Sequence, residues 1–135
     1  MLRPTALSGG PGAAIKAASE HAPYIAGLAK TYSGFDQPDQ LLAEAFALCD
    51  EAASGQGDPF TLLRHAKKQA HLAIAAEDLS GQYDLAQTTH HITAFADAAL
   101  GAALKVALGE QGLAETGLFT AALGKMGAFE LNYSS

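Results

Sequence analysis

Thirty of the 135 residues are alanine, while valine occurs once and isoleucine four times. That ratio constrains the fold more than any other feature of the chain. Alanine loses no side-chain entropy in a helix, whereas strands draw on β-branched and aromatic residues. The expected fold is therefore mainly α. Only 29 residues are Leu, Ile, Val or Phe, so bulky core material is scarce. Faces of alanine offset this in part, because helices can approach closely across them.

Proline and glycine divide the chain. Residues 1–12 contain Pro4, Gly9, Gly10, Pro11 and Gly12 and read as a loose leader. A first helix is expected from about Ala13 to His21. Pro23 would clash inside it but suits the first turn of a second helix, Tyr24 to about Thr31. Pro38 opens a third, with Leu41, Leu42, Ala45 and Leu48 along one side. Asp58 and Pro59 pair a cap with a first-turn proline. The fourth helix then runs to about Asp78, with Leu63, Ala66, Ala70, Ala73 and Ile74 at spacings of three and four. Asp84 and Gln87 have capping-box spacing ahead of the longest helix, about Leu85 to Leu108. Its apolar side carries Ile92, Phe95, Ala99, Ala103 and Val106.

Gly109, Gly112 and Gly117 mark the next loop, and LFTAAL (118–123) is an apolar run between glycines. Its shortness, with Phe and Thr, favours a buried strand. A lone strand leaves backbone groups unsatisfied. Either LFTAAL is helical, or its partners lie outside this chain. The expected organisation is a leader at 1–12, a bundle of about five helices over 13–108, and an incomplete domain starting within 109–135.

The net charge is −6 and the pI about 5.2, which argues against non-specific binding to nucleic acid or an anionic membrane. Cys49 is the single cysteine, so no disulfide framework is expected and a reducing, cytoplasmic setting is the simplest reading. The N-terminal stretch MLRPTALSGGPGAA lacks the apolar segment of a signal peptide. No uninterrupted apolar run approaches 18 residues, so no transmembrane helix is expected.

Two constellations stand out. Arg64, Lys67, Lys68 and His71 fall at i, i+3, i+4 and i+7, on one face of the fourth helix. They read as an ordinary solvated face or as a surface for phosphate or an acidic partner. No other histidine or cysteine spacing is informative. His90 and His91 are adjacent and diverge on a helix, HExxH and CxxC are missing, and Cys49 reads as a small buried hydrophobe. The second constellation is GKMGAFELNYSS, residues 124–135. It lacks the GxxxxGK[ST] and GxGxxG patterns. Even so, a glycine turn lets backbone N–H groups approach an anion, and a helix starting there adds its positive end. Lys125 would supply charge, Ser134 and Ser135 hydroxyls. A plain turn at a frayed terminus is the competing reading.

The stretch ALGKMGAFELNYSS closely resembles a signature of the bifunctional glutamine synthetase adenylyltransferase/adenylyl-removing enzymes, which are polymerase-β-like nucleotidyltransferases. That signature reads approximately Gly-Lys-Leu-Gly-Gly-x-Glu-Leu-Asn-Tyr-Ser-Ser, then Asp-x-Asp. Gly124, Lys125, Gly127, Glu130, Leu131, Asn132, Tyr133, Ser134 and Ser135 match it. Met126 and Ala128 depart mildly, and Phe129 fills a variable position. LRHAKKQAHLAIAAEDLSG and the Ala-rich helix after it are similar to the region preceding the motif.

The resemblance implies a nucleotide site with Gly124, Lys125, Gly127, Ser134 and Ser135 near the phosphates. It implies ATP or ADP and Mg²⁺ as cofactors of a parent enzyme, with glutamine synthetase and a PII-type signal protein as partners. The family carries the motif twice: one half attaches AMP to a tyrosine of glutamine synthetase, and the other removes it by phosphorolysis. The helical region ahead of the motif resembles the N-terminal, adenylyl-removing half. Since the family's metal-binding aspartates follow the serine pair, the chain is expected to be an N-terminal fragment. It would be cut inside the α/β nucleotidyltransferase domain after that domain's first strand and turn, and inactive alone. The alternative expectation is a free-standing helical interaction module that uses the Arg64–His71 stripe.

Overall fold

A computed structural model describes residues 9–114 and 117–133. Six helices and no strand are present among them: α1 (Gly10–Ser19), α2 (Pro23–Thr31), α3 (Pro38–Ala53), α4 (Pro59–Leu79), α5 (Leu85–Glu110) and α6 (Gly124–Gly127). The starts follow the local chemistry. Prolines occupy the first turns of α1 to α4. The Asp58 carboxylate accepts from the Thr61 N–H at 2.9 Å, which satisfies a donor that helix geometry leaves open. Asp84 and Gln87 form the expected reciprocal capping box, with bonds of 2.8 and 2.9 Å. Helix α1 begins three residues ahead of Ala13, with Pro11 in its first turn.

Helix α4 is the axis of the fold, touched by α1, α2, α3 and α5. That arrangement buries every residue from Ala70 to Ala76. One core cluster joins Ile15, Leu28 and Leu41 to Leu72, Ala73, Ala75 and Ala76. A second joins Ala45 and Cys49 of α3 to Ala66, Ala70, Phe95 and Ala102. Burial raises the Cys49 thiol pKa, and Asp50 adds to the effect. Alanines supply much of both clusters, while Leu72 and Ile74 at 0% exposure supply bulk.

One sequence expectation needs correction, and a second meets a helix that its run-length argument did not register. LFTAAL forms no strand: residues 118–123 are irregular, and Leu118, Phe119 and Leu123 are exposed. With no partner strand among the described residues, extended backbone has no ladder to complete. Helix α5, for its part, is long and apolar enough to cross a membrane by length and composition alone, its most apolar 18-residue window having a mean hydropathy of 1.5. Histidines, threonines and Asp97 break the uninterrupted run, but alanines keep the average high. Thr88, Ile92, Thr93, Phe95 and Ala102 of this helix are buried, against α3 and α4. Its end from Ala103 to Glu110 is exposed or half-buried.

Candidate functional site

Beyond α5 the chain reaches the segment that carries the signature. Helix α6 is a single four-residue turn, and its closure follows a rule visible elsewhere in the molecule. Helices α3, α4 and α5 end on Gly55, Gly81 and Gly112, all with positive φ. At each end, one N–H bonds back five residues and the N–H before it bonds back three. The glycine makes the left-handed cap cheap. Helix α6 closes through the same two bonds. The Glu130 N–H donates to the Lys125 carbonyl at 2.8 Å and the Phe129 N–H to the Met126 carbonyl at 3.2 Å. Here the left-handed residue is Phe129, at φ 58°, a position that costs a side chain about 1–2 kcal/mol. The Phe129 ring stacks on His90, 5.7 Å between centroids and 17° from parallel, which offsets part of that cost.

The two glycines of the turn have separate reasons to be glycine. Gly124 has φ 62°. At Gly127 an added Cβ would lie 2.5 Å from the Ala122 carbonyl oxygen, too close for any side chain.

Tyr133 ties the end of the turn to the body. Tyr133 packs against the first core cluster, and its hydroxyl donates to the Asp78 carboxylate at 3.4 Å. Its ring meets His71 edge to face, with centroids 5.8 Å apart. Burial, with help from Asp78, pushes the Tyr133 phenol pKa far up. His71 also shares a 2.9 Å hydrogen bond with the Tyr24 hydroxyl. Leu131 and Asn132 close a cavity of about 250 Å³ whose other walls include Lys67, His71, Ile92 and Phe95.

The basic stripe is therefore shorter than the helical spacing suggests. Arg64, Lys67 and Lys68 are exposed, but His71 is buried. Burial first, and then Lys67, lowers its pKa to about 4. It is a neutral core ring near pH 7, not a fourth surface cation. The periodicity places His71 correctly around α4; the packing of Tyr24 and Tyr133 over it is what removes it from water. Three other histidines are also partnered: His65 with the Tyr32 hydroxyl at 2.6 Å, His90 with the Phe129 ring, and His91 stacked on Tyr83 at 4.5 Å.

Of the signature residues, Gly124, Lys125 and Gly127 lie on one exposed turn. Ser134 and Ser135 lie outside the described residues. Lys125 offers an ammonium beside backbone that Gly124 leaves open, a chemistry suited to an anion. A four-residue helix adds little dipole to it, since the dipole grows with aligned peptides. Among the described residues no group of three or more His, Cys, Asp or Glu side chains is placed to hold a metal. Sequence reasoning took Tyr133 as a motif letter and missed it as an anchor. Its partners, Asp78 and His71, are too distant in sequence for periodicity to reveal, although a tyrosine within a polar tail is itself a signal.

A family model described as glutamate-ammonia ligase adenylyltransferase matches residues 12–135. The chain belongs to that family. Among curated proteins it is similar to the bifunctional glutamine synthetase adenylyltransferase/adenylyl-removing enzyme of Caulobacter vibrioides, 42% identical over 137 aligned residues, covering 84% of this chain and 14% of that protein. The enzymes of the same name from Xanthobacter autotrophicus and a Bradyrhizobium strain are each 40% identical, covering 74% and 73% of this chain and 12% of their own lengths. The chain thus spans about a seventh or less of the relatives it matches. No solved structure matches.

Proposed function

We propose that this chain is the helical region and leading nucleotide turn of an enzyme that adenylylates and deadenylylates glutamine synthetase. One observation carries the reading: the family match runs through the turn itself, where Gly124 has the left-handed backbone that favours glycine and Gly127 has no room for a Cβ. In this reading Lys125 and the two serines after Tyr133 approach the phosphates of the nucleotide. In this reading the carboxylates that hold Mg²⁺ are the family's aspartates that follow the serine pair. The helical region ahead of the motif resembles that of the adenylyl-removing half, to which this reading assigns the chain. Glutamine synthetase and a PII-type signal protein are the partners, in the cytoplasm, and the 135-residue chain alone is inactive.

The test replaces Lys125 with alanine in the full-length enzyme and follows both reactions on glutamine synthetase. Phosphorolytic AMP removal is expected to fall at least tenfold, as loss of one charged phosphate contact would give, with ATP-dependent transfer retained. Loss of transfer with removal intact would reassign the chain to the other half. If neither reaction changed, Lys125 would have no role at the phosphates. The isolated chain, given adenylylated glutamine synthetase, phosphate and Mg²⁺, is expected to show no turnover.

The exposure of Arg64, Lys67 and Lys68 supports a second reading, a helical surface for an acidic partner. Reversing the charge at Lys67 and Lys68 and losing a pull-down while both reactions survive would favour it.

A further inference from the structure

We infer that Tyr133 is a positioning residue that fixes the nucleotide turn to the helical body through α4. The inference rests on the proposed function for its consequence, but not for its geometry. Segment 117–123 is exposed and irregular, so among the described residues no buried contact lies between α5 and α6. Within the turn, Lys125 and Glu130 are exposed and Met126 only half-buried. The firm contact is at the far end. The Tyr133 ring packs against the first core cluster, edge-on to His71, with its hydroxyl on Asp78. His71 is itself held from the other side by Tyr24 of α2. A line of four side chains, Tyr24, His71, Tyr133 and Asp78, therefore joins α2, α4 and the turn.

The consequence follows from covalent geometry. Consecutive Cα atoms are about 3.8 Å apart, so fixing Tyr133 fixes the point from which the serine pair leaves. It also holds the C-terminal end of the turn closed by the Glu130-to-Lys125 bond, at whose other end Lys125 sits. Misplacement of a phosphate-binding group by about 1 Å can cost on the order of a hundredfold in rate. Phe129 on His90 is a second, weaker clasp, because its ring remains half exposed at 49%.

Two measurements test this. In the 135-residue chain, amide exchange is read at Glu130, whose N–H makes the closing bond. Replacing Tyr133 with alanine is expected to speed exchange there at least tenfold, while the buried amides of α4 and the helical circular dichroism stay as they were. Tyr133→Phe keeps the ring and should retain most of the protection. In the full-length enzyme Tyr133→Ala is expected to lower kcat of the reaction this turn serves by about a hundredfold. KM for the protein substrate should be unchanged, and Tyr133→Phe should restore kcat to within tenfold. Unchanged exchange at Glu130 in Tyr133→Ala would overturn the anchoring. Faster exchange with wild-type kcat would overturn the catalytic consequence. Loss of α4 protection as well would make Tyr133 a general core residue and overturn the assignment. A Lys125→Ala enzyme unaffected in both reactions would instead break the functional reading and leave the anchoring intact.

Discussion

The helical body and the segment that follows it close their helices with the same pair of hydrogen bonds, yet under different constraints. In the body, Gly55, Gly81 and Gly112 take the left-handed position, and the helices they end are held by two buried clusters. In the segment, Phe129 takes that position, and the helix it ends is one turn long. The body is self-supporting. The turn is ordered by leaning on it, through Tyr133 on α4 and Phe129 on α5. A functional turn built this way keeps its exposed groups available while its position is set elsewhere.

Breaking the body should have the largest effect. Leu72 is fully buried where α4 meets its neighbours, and Leu72→Ala is expected to cost about 2–5 kcal/mol. Urea unfolding followed by circular dichroism would measure it, and the turn should be lost together with the body.

Acid should act nearly as strongly, through His71. Its folded pKa of about 4 lies below the ordinary 6.5, so the unfolded chain takes up the proton first. The contribution is complete above about pH 6.5 and falls by about 3 kcal/mol as the pH drops to about 4. Lys67, Tyr24 and Tyr133 face the ring, and none of them supplies an anion to hold the proton. Glu77, raised by burial and then by Asp39, opposes the trend. The comparison is therefore with His71→Gln, whose stability should fall less steeply across the same window.

Gly127→Ala should separate the two regions. The new methyl meets the Ala122 carbonyl, so the turn must shift, at about 1–3 kcal/mol. Exchange at Glu130 is expected to accelerate while the thermal midpoint of the body moves by no more than a few degrees.

The smallest effect is expected at Phe129. Phe129→Gly removes left-handed strain of about 1–2 kcal/mol and also an aromatic stack of about 0.5–1.5 kcal/mol, so protection at Glu130 should change less than tenfold. With His90→Ala already in place the stack is gone, and the same change should stabilise the turn by about 1–2 kcal/mol.

What the sequence revealed and what it hid divide along the same line. The caps at Asp58 and Asp84 were legible because their bonds span three residues. The stripe from Ala66 to Ile74 was legible because helical spacing is local. The signature at Gly124 and Lys125 was legible as a pattern, and its family followed from it. Burial of His71 was not, since α4 is enclosed from several sides and one helix's periodicity describes a single face. Nor was the irregular course of LFTAAL, whose apolar run suits a strand only where a partner exists. The anchor at Tyr133 was hidden for the same reason, because Asp78 lies 55 residues earlier.

The asymmetry between body and turn is tested most directly by a thermal melt of the chain shortened to end at Ala114, read by circular dichroism beside the 135-residue chain. The account predicts a cooperative transition, the helical signal of α1 to α5 retained, and a midpoint lowered by only a few degrees. A shortened chain that melts without cooperativity, or that has lost the helical signal at the outset, would contradict it.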